Sequence, residues 1–331
     1  MKISTVNHRE RMEAFKKHEK IDRIPIALWR HFPVDDQDPG RLAAATLNFQ
    51  NTFDFDLIKV TPASSFCIKD WGVEDRWEGN PEGTREYIKR VINSPEDWEK
   101  LKPLDPSTGF LKQQLECLEL MQETRHTTPI IQTIFNPLSQ AKNLIGDELL
   151  LTHVRQYPDA IRSGLETIAT STKRFIEAAT DIGIDGIFFA IQHARSGTLS
   201  KDEYDAFGKD HDLEILNITK DLFFNILHLH GNSVYFDEIS KYPIETINWH
   251  DRETYPSLEE GRQIFDGILC GGMKRETISL GNEKMIRDEI SDAVSQTNGD
   301  RLLLGTGCVV PVIAPYGNIM AAKKIAEGIP I

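Results

Sequence analysis

The stretch from Pro158 to Ala190 reads PDAIRSGLETIATSTKRFIEAATDIGIDGIFFA, and it decides the fold class. Its first part places apolar residues such as Ile161 and Leu165 at near-helical spacing, which predicts a helix over Pro158–Ile182. Its end, Asp185–Ala190, is short and apolar without alternation, as is typical of a strand buried on both faces of a parallel sheet. A long helix that leads into such a strand is the repeating unit of an α/β protein.

The same pattern continues in both directions along the chain. Short apolar runs predict eight strands, namely Arg23–Trp29, Asp56–Val60, Pro129–Phe135, Asp185–Ala190, Phe224–His230, Glu245–Trp249, Gly267–Gly271 and Arg301–Gly305. Helical patterns separate most of them, and the helices predicted besides Pro158–Ile182 are Val6–Lys17, Asp202–Leu222, Gly281–Thr297 and Asn318–Glu327. Eight strands that alternate with helices favour a (β/α)8 TIM barrel with an N-terminal helix over an open doubly wound sheet. No stretch has the composition of a linker, so residues 1–331 are expected to form a single domain.

The segment Gly72–Leu101 departs from this alternation. Its turn signals, Gly79-Asn80-Pro81 and Glu82-Gly83, predict a hairpin-like excursion. Because the segment follows the second predicted strand, we expect it to lie over the C-terminal mouth of the barrel and to form one wall of a substrate pocket.

The composition argues against a nucleic-acid-binding protein, a membrane protein and a disulfide-stabilised protein. The chain has 331 residues with 38 basic and 51 acidic side chains, a formal net charge of −13, and no visible basic patch for nucleic acid. No apolar run approaches the ~18–20 residues of a membrane span, and the first residues lack the apolar core of a signal peptide. Four widely spaced cysteines do not suggest a disulfide framework. These features predict a cytoplasmic enzyme that binds neither nucleic acid nor membrane.

The most informative motif for chemistry is Ile226-Leu-His228-Leu-His230-Gly231-Asn232. Side chains two residues apart on a strand share a face, so His228 and His230 are expected together at the C-terminal end of their strand. In a barrel that end faces the active site. Two imidazoles placed there can share a metal ion, hold a substrate carboxylate, or act as acid and base.

A second motif, Leu302-Leu-Leu-Gly305-Thr-Gly307-Cys308, ends the last predicted strand. In a closed barrel its loop shares the mouth with the loop that carries His228 and His230. A Cys308 thiolate would complete a three-ligand set with a free fourth position, as catalytic zinc sites require. The alternative is a small buried thiol that serves packing alone.

Three further clusters follow predicted strands. Trp29, Arg30 and His31 come after the first strand, where Arg30 can clamp a carboxylate or phosphate and His31 can exchange protons. The substrate-binding candidates at other strand ends are Gln192, His193 and Asn136. For the first cluster the alternative is a surface loop with an aromatic anchor, and for Asn136 it is the cap of the helix that begins at Pro137.

The chain resembles the uroporphyrinogen decarboxylase superfamily over nearly its whole length. The matching segments are Arg23-Ile-Pro-Ile-Ala-Leu-Trp-Arg30, Gly183-Ile-Asp-Gly-Ile-Phe-Phe, Leu-Ser-Lys-Asp-Glu-Tyr204, Leu229-His-Gly-Asn232 and Leu304-Gly-Thr-Gly-Cys-Val-Val-Pro311 with Asn318. The resemblance implies a (β/α)8 barrel. It implies either a decarboxylase or a cobalamin-dependent methyltransferase.

Departures from the decarboxylase pattern favour the methyltransferase branch. Of the two arginines that grip substrate carboxylates in the decarboxylases only Arg30 is matched, because the second falls near Val34. Lys59-Val-Thr61-Pro62 stands where the decarboxylases have a pyrrole-binding Asp, and Thr306 replaces a His of the last glycine motif.

The methyltransferase branch carries a zinc motif that this chain matches in part. His228 matches its first ligand and Cys308 its last, while His230 stands where the branch usually has Cys. Because histidine also ligates zinc, the resemblance implies a zinc site made by His228, His230 and Cys308.

The expected function is therefore methyl transfer between a small thiol or hydroxyl compound and a corrinoid, with demethylation as the equally compatible reverse direction. The chain lacks an Asp-x-His-x-x-Gly corrinoid motif, so cobalamin would come on a partner protein. A metal-free lyase acting on a tetrapyrrole or smaller carboxylate is the first alternative, and a non-catalytic corrinoid- or tetrapyrrole-binding protein is the second. Superfamily analogy implies a monomer or homodimer.

Overall fold

A parallel sheet of seven strands forms the centre of the computed structural model, which describes residues 6–124 and 127–329. The strands of the described chain are β1 Ile58–Val60, β2 Glu74–Arg76, β3 Glu86–Lys89, β4 Ile130–Phe135, β5 Gly186–Ile191, β6 Ile226–Leu229, β7 Thr246–Trp249, β8 Ile268–Met273 and β9 Leu302–Thr306. The seven strands pair in the order β1-β4-β5-β6-β7-β8-β9, every pair parallel. This curled sheet, flanked by helices, is a TIM-like α/β fold.

Helices connect and cover these strands. Those of the described chain are α1 His8–Lys16, α2 Pro39–Phe53, α3 Asp97–Lys100, α4 Gly109–Thr124, α5 Pro137–Ile145, α6 Asp147–Gln156, α7 Pro158–Ile182, α8 Lys201–Tyr204, α9 Asp210–Thr219, α10 Phe236–Ile239, α11 Leu258–Ile264, α12 Arg275–Leu280, α13 Glu283–Thr297 and α14 Tyr316–Glu327. No helix among the described residues is both long and apolar enough to cross a membrane.

The segment Arg23–Trp29 differs from its predicted strand. Within the described residues it makes one isolated parallel bridge, between Ile26 and Leu304, and belongs to no named strand. Pro25 has no N–H to donate. The Ile26 amide donates to the side-chain carboxylate of Asp56 and not to the backbone carbonyl of a neighbouring strand. An exact eight-stranded barrel is therefore not established, although backbone bonds reach Leu304 on one side and Asp56 on the other.

The remaining predicted elements agree with the structure in type. All seven other predicted strands are strands, and the predicted helix Pro158–Ile182 has the same bounds as α7. The predicted helix Asp202–Leu222 is divided into α8 and α9 by a π-helical turn at Asp205–Lys209.

The predicted hairpin is present within Gly72–Leu101. β2 and β3 pair antiparallel, with Glu74 opposite Lys89. The loop between them is fixed to the end of the sheet, because the amide of Val312 donates to the carbonyl of Pro81 at 2.7 Å. The hairpin therefore stands beside the loop that follows β9, where the sequence places one wall of a pocket.

Candidate active site

A cavity of about 350 Å³ opens at the C-terminal ends of the parallel strands. Its wall includes residues from β1, β4, β5 and β6, from the loop after β9 and from the β2–β3 hairpin. Concave sites of this size at the C-terminal face are where TIM-like enzymes hold small substrates.

Three predicted metal-binding residues meet at this cavity. The distance from His228 Nε2 to His230 Nδ1 is 3.5 Å, and the distance from Cys308 Sγ to His230 Nδ1 is 3.8 Å. His228 is buried in β6, whereas His230 and Cys308 are partly exposed. Residues from β6 and the loop after β9 thus converge as the motif spacing predicts.

A fourth residue, His250, completes this group and was missed by the sequence reasoning. One ring nitrogen of each of the three histidines and the Cys308 sulfur all lie within 4.8 Å of one another. His250 comes directly after β7, and the polar pair His250-Asp251 at a strand end was the available signal. We call these four residues the His₃Cys cluster: His228, His230, His250 and Cys308.

Asn248 fixes the tautomer of His228. Its amide nitrogen donates to the carbonyls of Cys270 at 2.8 Å and Thr306 at 3.1 Å, so its oxygen faces His228 Nδ1 at 2.7 Å. That oxygen can only accept, so Nδ1 carries the proton and the lone pair of His228 Nε2 points toward His230.

A chain of charged residues orients His250 in a similar way. His250 Nδ1 lies 3.2 Å from the carboxylate of Glu253, which in turn lies 3.5 Å from Arg275. Arg275 also pairs with Glu82 of the hairpin loop at 2.5 Å. With Nδ1 donating to Glu253, His250 Nε2 is left buried without a hydrogen-bond partner, which is the state of a ring nitrogen that ligates a metal.

Burial keeps the other two rings neutral. It lowers the pKa of His230 to about 4, and burial together with the adjacent His230 and His250 rings lowers the pKa of His228 well below 6.5. A neutral imidazole is the form that binds metal ions, so neither of these two rings has to lose an imidazolium proton near neutral pH, whereas Cys308 would bind as the thiolate.

The His₃Cys cluster fits a zinc ion by donor type and by spacing. With bonds of ~2.0–2.3 Å, the ligand atoms of a tetrahedral zinc ion lie ~3.3–3.7 Å apart. The two separations from His230 Nδ1, 3.5 Å to His228 Nε2 and 3.8 Å to Cys308 Sγ, are close to those values, and all the ligand atoms lie within 4.8 Å of one another. Imidazole and thiolate are the ligands that zinc prefers, and carboxylates that would favour magnesium or calcium are not part of the cluster.

The chain's family follows from a match along almost all of its length. Residues 7–328 match the family model described as Uroporphyrinogen decarboxylase (URO-D). The chain belongs to the uroporphyrinogen decarboxylase family. This confirms the superfamily resemblance seen in the sequence. No curated protein matches the chain.

Solved structures with the same fold include a methyltransferase from Methanosarcina mazei, with a TM-score of 0.84 and 16% identity, covering 97% of this chain and 98% of that one. A B12-independent methionine synthase from Shewanella sp. W3-18-1, in complex with selenomethionine, aligns with a TM-score of 0.60 and 13% identity over 92% and 93% of the two chains. A putative vitamin-B12 independent methionine synthase from Listeria monocytogenes aligns with a TM-score of 0.54 and 11% identity, covering 92% of this chain and 95% of that one. At such identities these similarities establish the fold shared by the URO-D protein and its neighbours.

Of the three candidate residues after the first predicted strand, two line the cavity and one does not. Trp29 and His31 line the cavity, whereas Arg30 between them is not among its lining residues, and its guanidinium lies 5.6 Å from the Phe32 ring centroid. Burial lowers the pKa of His31 to about 3, helped by the charge of Lys59, so this ring is neutral. Period-two geometry explains the division, since neighbouring residues on an extended chain point to opposite faces.

Of the other three predicted substrate-binding residues, two line the cavity and Asn136 does not. Gln192 and His193 line the cavity, and His193 Nε2 lies 3.8 Å from Asp147. Asn136 is not among the lining residues: its oxygen accepts from the Ser139 amide as the N-cap of α5, and its amide donates to buried Asp212 at 2.9 Å. The capping alternative from the sequence therefore describes what Asn136 does here.

Lys59 is a further cavity residue that the sequence reasoning did not select. Its side chain is buried in β1, with the ammonium 4.4 Å from the Phe188 ring centroid and 3.2 Å from the Thr61 hydroxyl. Burial lowers its pKa to about 7. The sequence pattern showed Lys59 as a departure from the URO-D decarboxylases but gave no sign that it is buried, because most lysines are exposed.

Proposed function

We propose that this URO-D family member is a zinc-dependent methyltransferase that moves a methyl group between a corrinoid, carried by a partner protein, and a small thiol or hydroxyl compound. The observation that carries the proposal is the His₃Cys cluster, three of whose members, His228, His230 and Cys308, line the cavity. The fold shared with methyltransferases is consistent with it.

His228, His230 and Cys308 would hold the zinc ion, and His250 offers a fourth donor. A zinc ion bound there would stabilise the anionic form of a thiol or hydroxyl group and so make it a nucleophile near neutral pH. Asn248 and Glu253 keep two of the imidazoles oriented with a lone pair directed into the cluster.

The cavity residues bind and orient the acceptor. The lining of the cavity includes Trp29, His31, Gln192 and His193, and residues of the hairpin loop form part of its wall. In the proposed direction the deprotonated acceptor would take the methyl group, and the corrinoid carried by the partner protein would supply it and keep the electron pair of the broken bond. Demethylation of a thioether is the reverse of this step. The proposal places the enzyme in the cytoplasm, as a monomer or homodimer.

The lyase alternative keeps one favourable observation, which is a set of cationic residues in the cavity that would suit a carboxylate substrate. Lys59, Lys142 and Arg195 all line it. Release of carbon dioxide from a porphyrinogen by metal-free protein would favour that alternative. Tight corrinoid binding without turnover, unchanged in His228→Ala, would favour a binding protein.

The first experiment is elemental mass spectrometry of the purified protein beside its Cys308→Ala variant. We expect about one zinc per chain in the wild type and its loss in the variant. Methylcobalamin with 2-mercaptoethanol then tests turnover by the change in cobalamin absorbance, and we expect turnover to fall together with the zinc content.

Cys117→Ala is the matched control. Cys117 is a buried cysteine on α4, outside the cavity lining, so its removal should leave zinc content and turnover unchanged. Full turnover in Cys308→Ala, or no zinc in the wild type, would overturn the proposal and bring the lyase alternative forward.

A further inference from the structure

The lining of the cavity has more basic than acidic side chains. Within the described residues, Lys59, Lys142 and Arg195 line it without an ion pair, although the chain as a whole has a formal net charge of −13. Of the two acidic lining residues, Glu82 is engaged with Arg275, and Asp147 lies 3.8 Å from His193 and raises the pKa of Lys142 by its charge, so neither is paired with Lys59. A cationic cavity in an acidic protein is a site that favours a negatively charged small molecule.

Lys59 is the most enclosed of these cations. The ammonium is held between aromatic rings, 4.4 Å from the Phe188 centroid and 5.7 Å from the Trp29 centroid, and the Thr61 hydroxyl is its hydrogen-bond partner. An ammonium group can make three hydrogen bonds, so its donor capacity is largely unused. Buried cations in proteins are normally paired, and this one has no carboxylate partner among the described residues.

Other polar atoms around the same cavity are also unused. Trp29 Nε1, His31 Nδ1, His193 Nδ1 and Arg195 Nε are buried without a hydrogen-bond partner. Buried polar groups are rarely left unsatisfied, and several together around one cavity indicate a polar occupant.

We infer that Lys59 forms an anion subsite inside the cavity, which binds a carboxylate or similar anionic group of the substrate. The substrate is then a small acid, such as a mercapto acid, whose reactive group faces the His₃Cys cluster while its anionic group pairs with Lys59. In naming this molecule a methyl acceptor the inference rests on the proposed function; the anion subsite itself does not need a metal ion.

The test compares glutarate with its uncharged analogue glutaramide by isothermal titration calorimetry. The wild type should bind glutarate more tightly than glutaramide, and Lys59→Met should weaken glutarate binding by about tenfold or more, because a desolvated charge pair is lost. Lys59→Arg keeps the charge and should restore most of the preference. Methionine matches the length of the lysine stem and can keep its packing on Phe188, and unfolding midpoints check that each variant is folded.

Two controls locate the effect. Lys112→Met removes an exposed lysine of α4 and should change nothing, whereas Lys142→Met removes a second cavity cation. Equal glutarate affinity in wild type and Lys59→Met, or a loss confined to Lys142→Met, would overturn the subsite.

The titrations are run on the protein as purified, with its zinc content measured, and again after chelator treatment. A preference for glutarate that depends on Lys59 in both samples supports the subsite, whether or not zinc is found. The absence of zinc would count against the proposed function and not against the subsite. A preference that disappears with the chelator and is unaffected by Lys59→Met would instead mean that glutarate binds the metal, and the subsite would fall.

Discussion

At the scale of single residues, the candidate site depends on groups that touch no substrate. Asn248 is fully buried in β7, and its amide is committed to the carbonyls of Cys270 and Thr306, which leaves its oxygen as the acceptor for His228. A neutral imidazole has two tautomers, and only one of them directs the Nε2 lone pair into the His₃Cys cluster. Asn248 therefore selects the metal-binding form of His228.

Replacing Asn248 by Ala should lower zinc affinity by about 10–100-fold, as is typical when a residue that orients a metal ligand is removed. The measurement is competition with a chromophoric chelator. Asn225→Ala is the matched control, because Asn225 is a buried asparagine that bonds the backbone at Ile187 and Thr219 outside the cavity lining. Unchanged zinc affinity in Asn248→Ala, or an equal loss in the control, would show that the orientation of His228 does not depend on this amide.

At the scale of elements, the β2–β3 hairpin joins the loop after the first predicted strand to the loop after β9. Its turn passes so close to His31 that a Cβ atom on Gly83 would lie 2.5 Å from the His31 Cβ. Gly83 also has a φ of +81°, which residues with a side chain rarely adopt. The hairpin is therefore fitted against a cavity residue, and its position helps to set the shape of the cavity.

Gly79 and Gly83 provide a matched pair of substitutions. Gly79 has a φ of +86°, but a Cβ atom added there would have nothing within 4 Å, so Gly79→Ala should cost about 1–2 kcal/mol through backbone strain alone. Gly83→Ala should cost a further ~1–3 kcal/mol, because it also crowds His31. Urea denaturation measures both, and equal losses would mean that the hairpin moves away from His31 without cost.

At the scale of the whole molecule, the buried ion-pair network around Asp56 and the candidate site lie at opposite ends of the sheet. Before the start of β1, the fully buried Asp56 accepts hydrogen bonds from Arg23 at 2.6 and 2.8 Å, from Arg11 at 2.8 Å and from the Ile26 amide at 2.9 Å. This network ties helix α1 and the segment Arg23–Trp29 to the sheet. Placing such a cluster at the N-terminal end leaves the C-terminal end free for the cavity.

Asp56→Asn should destabilise the fold by about 3–5 kcal/mol at pH 7, because it leaves the buried Arg23 guanidinium without its counter-charge and removes one of the two carboxylates that Arg11 contacts. Burial opposes ionisation of Asp56, but His8 and Arg23 hold its pKa well below 3.8. A lowered pKa contributes stability above the unfolded value and loses it as the pH falls, so the gap between wild type and variant should persist at pH 5–8 and narrow below about pH 4.

The control for this substitution is Asp54→Asn. Asp54 also contacts His8, at 2.8 Å, but 68% of its side chain is exposed, so its loss should cost no more than about 1 kcal/mol. Chemical denaturation across this pH range measures both variants. A similar small cost for the two substitutions would show that Asp56 does not hold the N-terminal segment in place.

The local pattern of residues was sufficient for much of the fold and for part of the site. Non-alternating apolar runs marked seven strands correctly, and the uniform periodicity of Pro158–Ile182 marked α7. Residues two apart on one strand point to the same face, and this rule placed His228 and His230 together. The rule needs no knowledge of the other strands. The same rule, applied to Trp29-Arg30-His31, would have directed Arg30 away from the cavity.

The sequence by itself therefore determined the class of fold, the ends of the strands where the candidate site lies, and the local pair of histidines, His228 and His230, in the cluster. Only the tertiary structure decided that His250 joins His228, His230 and Cys308 and that Asn248 sets a tautomer. The same holds for Lys59, which is buried with no carboxylate partner among the described residues. The physical reason is that each of these depends on contacts between strands far apart in the chain. The association of the strands decides which side chains meet and which are buried in a parallel sheet. The spacing of residues along one strand does not predict that association.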